Sequence, residues 1–473
     1  MISAQNHPQP SNGNSWLIMA GLVLLYSCAT TKNAGTPKDV QIVKSDKSTT
    51  PSPTGKKDSD IKAKSSGEIL VSSKIDTIIW QDVTPYHLPI TVRQPKKAVY
   101  KEGLEFRDEY NVKLLIPLNS DGTNDPTKSK FAHFYAGILQ ALEVLDVEGI
   151  KINLTVIDTE EGDFNVQQNI SNLVDDNTDL IIGPFERDDV KVIAEECKIK
   201  SVPVVSPWQT STKITNENPY YIQIKPNLKE HFIKLANSTS REFGKGEVAI
   251  ICKRSSESEA WIKFFQEAAF NNNAVNDFFS TYFVSPDSLA NGPSAFSGLF
   301  RNPKIKAIIL PNYSYNDESF IYSCLRRLNA EKAGRNISVY GMPILFDSDK
   351  IEFEYYYSLN INVVMSDFVD PNQSAIREFR RDFLNLFGEI PDVEAIKGYD
   401  LALYLGRNIW KYGKNFQNYL ENEPGIYLQS SYNIQKSKSD DSQVIDDPYK
   451  FDYYENKHLD IIEFSGNKWQ IKW

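Results

Sequence analysis

The chain is poor in the residues that build metal and redox centres. Four cysteines and five histidines are spread over 473 residues. Cys28, Cys197, Cys252 and Cys324 make no CxxC pair, so neither a thiol-rich zinc site nor a dithiol redox centre is read from them. Cys197, Cys252 and Cys324 fall on apolar faces and are expected as buried free thiols. His7, His87, His133, His231 and His458 are scattered, and no metal site is expected. No GxxxxGK[ST] phosphate loop, HExxH pair or GxSxG elbow occurs. Gly244-Lys245-Gly246 holds only two glycines and reads as a turn between a helix and a strand. Asp158, Glu160 and Glu161 form a cluster that a solvated turn explains, and no spaced carboxylate pair suggests acid–base work. The expectation is a protein without cofactor or catalytic residues, not an enzyme. Positive charge is also lacking: the formal net charge is -10, which excludes non-specific nucleic-acid binding.

No apolar run reaches the roughly 20 residues that span a bilayer. The longest near the N-terminus, WLIMAGLVLLY (16–26), has the length of a signal-peptide core. It runs into Leu25-Tyr26-Ser27-Cys28, which resembles a bacterial lipobox. That resemblance implies cleavage before Cys28, lipidation of this residue, and attachment to a membrane through the lipid anchor. No Lys or Arg precedes the run and Tyr26 is bulky, so a short hydrophobic segment with an incidental cysteine is the competing reading. After Cys28 the chain is rich in Lys, Ser, Thr, Pro and Asp and has too little apolar surface to offset chain entropy. Residues 1–27 are thus expected as a signal peptide, 28–75 as a disordered tether and 76–110 as an irregular lead-in. No acidic run follows Cys28, which favours the periplasmic face of a bacterial cell envelope.

From residue 111 onward the apolar pattern alternates between strand and helix. NVKLLIPL (111–118) is a near-continuous apolar run, as in a strand buried on both faces. Phe131, Phe134, Ile138, Leu142 and Leu145 then repeat at helical spacing. INLTVIDT (152–159), DLIIGP (179–184), PVVSP (203–207) and YYIQIKP (220–226) read as further strands separated by helices. A second series begins with EVAIICK (247–253) and continues through FFSTYFV (278–284), KAIILPN (306–312), ISVYG (337–341) and INVVMS (361–366). Strands joined by helical crossovers make parallel sheets. Two series imply an α/β fold of two Rossmann-like lobes. A helix closed by Gly388, another over 393–412 and a C-terminal β-hairpin complete the pattern.

The order of motifs resembles the type I periplasmic binding proteins of the leucine/isoleucine/valine-binding kind. IIGPF (181–185), SVPVVSPWQTST (201–212), FLNLFGEIPDVEAIKGYDLALYL (383–405) and YYENKHLDIIEF (453–464) carry the resemblance, which covers roughly 111–473. It implies lobes at 111–225 with 366–428 and at 226–365 with 429–473. Hinge crossovers are expected near 220–227, near 363–369 and between 414 and 453. A small-molecule ligand would then sit between the C-terminal tips of the two sheets and favour the closed form.

Carried over position by position, the family's binding residues fit unevenly. Asn119 and Ser120 follow the first strand and offer hydrogen bonds. Phe185-Glu186-Arg187 stands where a small or hydroxyl residue would help hold a ligand carboxylate. Thr210 matches a threonine of the binding turn, but Trp208 and Gln209 occupy places usually left small. In the second lobe Glu257 replaces a tyrosine, Tyr313 matches one, and Met342-Pro343 replaces the acidic partner of an ammonium. An α-amino-acid clamp is incomplete, because a buried zwitterion needs both of its charges paired. Phe185, Trp208 and Tyr313 either line an aromatic cleft for a larger or less polar ligand, or Trp208 and Phe185 pack between the lobes. Two functions are expected from this: the substrate-binding lipoprotein of a transport or sensing system, or an envelope interaction protein regulating peptidoglycan synthesis with a degenerate pocket. The partners would be a transporter or an envelope protein.

Overall fold

The computed structural model describes residues 104–118, 128–440, 442 and 450–472. Cys28, the expected signal peptide and tether, and both Asn119 and Ser120 lie outside the described residues. No helix among the described residues is long and apolar enough to cross a membrane.

Five strands of the first lobe run parallel: β1 (Tyr110–Ile116), β2 (Ile152–Asp158), β3 (Leu180–Ile182), β4 (Val204–Ser206) and β5 (Tyr221–Gln223). β3, β4 and β5 are buried along their whole length, because helices cover both faces and leave no place for alternating polar residues. On one face, helices Ser129–Val147 and Val393–Tyr412 pack with their backbones nearly touching. A Cβ on Gly398 would fall 2.0 Å from the Phe134 carbonyl oxygen, and one on Gly137 would fall 1.9 Å from that of Ala395. Only glycine permits this approach.

The second lobe repeats the plan with β6 (Val248–Cys252), β7 (Ser280–Phe283), β8 (Ala307–Leu310), β9 (Ser338–Gly341) and β10 (Ile361–Met365). Cys197, Cys252 and Cys324 are buried free thiols. A two-stranded ribbon, β11 (Gly425–Ile426) and β12 (Ser431–Tyr432), follows the helices of the first lobe. The remaining strands are β13 (Ile434–Ser437), β14 (Tyr453–Asn456), β15 (Asp460–Ser465) and β16 (Lys468–Ile471). Both lobes end as seven-stranded sheets, ordered β13-β14-β5-β4-β3-β1-β2 and β16-β15-β10-β9-β8-β6-β7. The last two strands form the expected hairpin, turned through Gly466 and Asn467, both at positive φ.

One boundary differs from the sequence reading, which gave all of 429–473 to the second lobe. β13 and β14 belong to the first sheet, where β14 pairs parallel with β5 through Tyr454↔Ile222 and Glu455↔Gln223. The buried Tyr453 and Tyr454 mark β14 as a core strand, and its parallel pairing joins residues more than two hundred positions apart. The third crossing therefore lies between Asn456 and Asp460, not between 414 and 453. The other crossings run from β5 to helix Leu228–Glu242 and from β10 to helix Ser374–Phe387.

A buried carboxylate ties the first and third crossings together. Glu455, fully buried at the end of β14, accepts from the Asn227 backbone N–H at 2.7 Å, its Nδ2 at 3.0 Å, the Ser437 Oγ at 2.8 Å and the Lys457 Nζ at 2.5 Å. Asn227 in turn caps helix Leu228–Glu242 by accepting from the Glu230 N–H. Lys457 also reaches Glu230 at 2.8 Å. Removing the carboxylate leaves a largely buried ammonium and two amide donors short of an acceptor. Glu455→Ala is expected to cost about 3–5 kcal/mol in denaturant unfolding, and Glu455→Gln less, since its amide oxygen still accepts.

Candidate functional site

The crossings fix which ends of the sheets meet. The chain leaves the first lobe at the C-terminal ends of β5 and β14 and leaves the second at the C-terminal end of β10. The C-terminal ends of β5, β14 and β10 thus lie where the lobes are joined. That is the place where open α/β sheets take ligands.

In the first lobe the tips of β3 and β4 carry an aromatic group. Gly183 ends β3 at φ 94°, and a Cβ there would sit 2.1 Å from the Leu115 carbonyl oxygen. The close approach sets the turn that presents Phe185. The Phe185 and Trp208 ring centroids lie 5.7 Å apart, and both rings meet Phe131, at 4.8 and 5.5 Å. Trp208 also packs on Phe134 at 4.8 Å. The Lys130 ammonium stands over Phe131 and Phe185 at 4.8 and 5.0 Å. Gln209 donates from Nε2 to the Phe185 carbonyl at 2.7 Å. Among the described residues, every ring contact of Phe185 and Trp208 is made inside the first lobe, and both rings remain half-buried. Thr210 is exposed.

The second lobe answers with Tyr313 and Glu257. Tyr313, 41% exposed at the tip of β8, packs on Trp261 at 5.9 Å and donates to Glu257 Oε1 at 3.4 Å. Partial burial and the Glu257 charge together push the Tyr313 phenol above its usual pKa. Beside it Asp317 accepts from Lys253 and, at 2.8 Å, from Asn312 Nδ2. Burial alone would raise the Asp317 carboxyl, but these donors hold it below the ordinary range. Met342 is buried at the tip of β9, so no acid stands there to meet an ammonium. The structure thus pairs Phe185 with Trp208 and Tyr313 with Glu257, one pair on each lobe.

Sequence reasoning missed the charged residues behind Trp208. The indole Nε1 donates to Glu394 Oε2 at 3.2 Å. Lys397 Nζ lies 2.7 Å from Glu394 Oε1 and 2.7 Å from Asp367 Oδ2, the latter on the second crossing. Burial would raise the Asp367 carboxyl, yet Lys397 and Lys225 hold it far below the carboxylate range. Asp367 also forms a backbone bridge with Ser430. That loop is gripped by Asp400, whose carboxylate accepts the N–H groups of Leu428, Gln429 and Ser430 at 2.8–3.1 Å. Burial pushes Asp400 up to about 6 against these donors. A cavity of about 30 Å³ touches Trp208, Lys225, Asp367, Lys397 and Tyr432, with room for a water or two but not for an organic ligand. The i,i+3 spacing of Glu394 and Lys397 is visible in the sequence, but nothing there ties it to Asp367 or Trp208.

Comparison with known proteins agrees with this architecture. Residues 146–422 match the family model described as the receptor family ligand binding region. The chain belongs to that family. Solved structures share its fold at low identity. An ABC transporter periplasmic ligand-binding protein for branched-chain amino acids from Burkholderia xenovorans is 13% identical, with a TM-score of 0.51 over 76% of this chain and 94% of that one. A substrate-binding protein of an ABC transporter from Desulfitobacterium hafniense is 14% identical, with a TM-score of 0.50 over 77% and 99%. The C-domain of LpoA from Haemophilus influenzae, a regulator of PBP1A, is 12% identical, with a TM-score of 0.50 over 76% and 99%. No curated protein matches the chain. The family is described as a ligand binding region, and two of these neighbours as ligand- or substrate-binding proteins. No group of three or more metal-ligating side chains occurs among the described residues.

The two buried carboxyls give opposite pH behaviour. The folded chain binds the Asp367 proton less readily than the unfolded chain does, so its contribution is complete above about pH 4 and is lost below. The folded chain binds the Asp400 proton more readily, so stability falls as pH rises from about 4 to about 6 and is level beyond. In denaturant melts at stepped pH, Asp400→Asn is expected to lose that decline, which amounts to about 2–3 kcal/mol, and Asp367→Asn to flatten the acid limb below pH 4.

Proposed function

We propose that this chain is a membrane-tethered lipoprotein of the bacterial cell envelope, facing the periplasm, that closes its two lobes on a small molecule. Its role would be the substrate-binding component of a transport or sensing system. The reading is supported by the two groups at the C-terminal ends of the parallel strands, Phe185 with Trp208 in the first lobe and Tyr313 with Glu257 in the second. Asn119, Ser120 and Thr210 would add hydrogen bonds. The half-buried rings, the Lys130 ammonium and the absence of an acid at Met342-Pro343 favour a ligand larger or less polar than a free α-amino acid.

A second reading is supported by a different observation. Gln209 and Trp208 fill the space beside Phe185, and the cavity behind them is too small for an organic ligand. An envelope interaction protein that regulates peptidoglycan synthesis would keep the fold and need no pocket. The similarity to the LpoA C-domain is in keeping with this.

Thermal-shift screening of the full chain against amino acids, peptides and cell-wall fragments separates the two. A true ligand at a hundred times its dissociation constant stabilises by about 2.7 kcal/mol, and Trp208→Ala and Tyr313→Ala are each expected to weaken it about tenfold or more. If no compound raises the melting temperature and membrane pull-down recovers a peptidoglycan synthase, the second reading replaces the first. Transporter subunits in the pull-down uphold the first. Cys28→Ser is expected to move the protein from the membrane to the soluble fraction, and continued sedimentation with membranes would reject the lipid anchor.

A further inference from the structure

We propose that Glu394, Lys397 and Asp367 form a charged relay coupling the Trp208 wall of the cleft to the second crossing, with Lys397 as its central positioning residue. The relay goes beyond ligand binding and rests on the cleft reading only for what would displace Trp208. Its geometry is continuous: Trp208 Nε1 to Glu394 at 3.2 Å, Glu394 to Lys397 at 2.7 Å, Lys397 to Asp367 at 2.7 Å. All three charged side chains are largely buried, at 14%, 17% and 22% exposure. In such surroundings an ion contact is strong, and losing a donor is felt by its neighbours because little water can replace it. The adjoining cavity of about 30 Å³ limits that replacement to a molecule or two.

The far end of the relay lies on the second crossing. Asp367 sits on the crossing from β10 to helix Ser374–Phe387 and is held on its other side by the bridge to Ser430. Lys225 of the first crossing and Asp347 of the second lobe also lie within electrostatic reach of this group. Movement of the Trp208 indole withdraws a donor from Glu394 and strengthens that carboxylate's hold on Lys397. The pull on Asp367 weakens by the same shift. The first and third crossings are bound to each other through Glu455, so the second crossing is the one the cleft wall addresses.

Amide hydrogen exchange on the full-length, unliganded protein tests this without knowledge of any ligand. Trp208→Phe keeps the ring and deletes the N–H, and Glu394→Gln and Lys397→Met break the next two links. Trp208→Phe and Lys397→Met are each expected to speed exchange in peptides covering 366–369 and 429–432 by about tenfold, and Glu394→Gln, which leaves Lys397 to Asp367 alone, to slow it, while the core of the second sheet is unchanged. The double variant Trp208→Phe with Lys397→Met is expected to add nothing to the single changes, since all act on one path. Lys411→Met, which removes an exposed ion pair between the end of the same helix and Glu423 beyond it, is expected to leave both peptides as in the parent. Unchanged exchange at 366–369 in Trp208→Phe and Glu394→Gln overturns the relay. So does a uniform rise over the whole first lobe, or additive effects in the double variant. A negative ligand screen with these exchange effects present removes the transport reading and leaves the relay standing.

Discussion

A single carboxylate, Glu455, stands where the two lobes are joined, and the arrangement of everything else follows from how it is satisfied. A buried charge has to collect donors or be expelled. Glu455 collects them from the first crossing, from β13 and from the third crossing. Lys457 reinforces the same meeting by reaching Glu230 and Ser437, and the C-terminal ends of β5 and β14 lie together there.

The second crossing is held by different chemistry. Around Asp367 an acid, two lysines and a second acid compensate one another, with Lys397 central. Ion groups of this kind contribute modestly to net stability, since desolvation consumes much of the attraction. Their stronger effect is to make the local geometry depend on each member, and this one includes the hydrogen bond of a cleft-wall tryptophan.

Much of the fold was legible in the sequence. Continuous apolar runs marked strands covered on both faces, and helical repeats marked the crossovers between them. Gly388 and Ser465-Gly466-Asn467 announced a helix end and a hairpin turn. The tip residues were named from the resemblance to the type I periplasmic binding proteins, which places binding loops at the C-terminal ends of the strands. Beyond that point the reading weakened. Phe185 and Trp208 were recognisable as aromatics near a cleft, but their stacking on Phe131 and Phe134 depends on a helix some fifty to seventy-five residues earlier. Tyr453-Tyr454 read as one run with the strands that follow, although the run divides between two sheets.

Local order was written in the chain because hydrophobic period and turn chemistry act over a few residues. The sequence alone therefore determined two series of strands and helices and two sets of loops at their ends. Which carboxylates would be charged inside the protein was decided only by tertiary structure. Glu455 meets Asn227, Lys397 meets Asp367 and Asp400 meets the loop at 428–430 through backbone geometry assembled from distant segments. No short window of sequence records such a meeting, because the energy of a buried charge is set by what surrounds it in space.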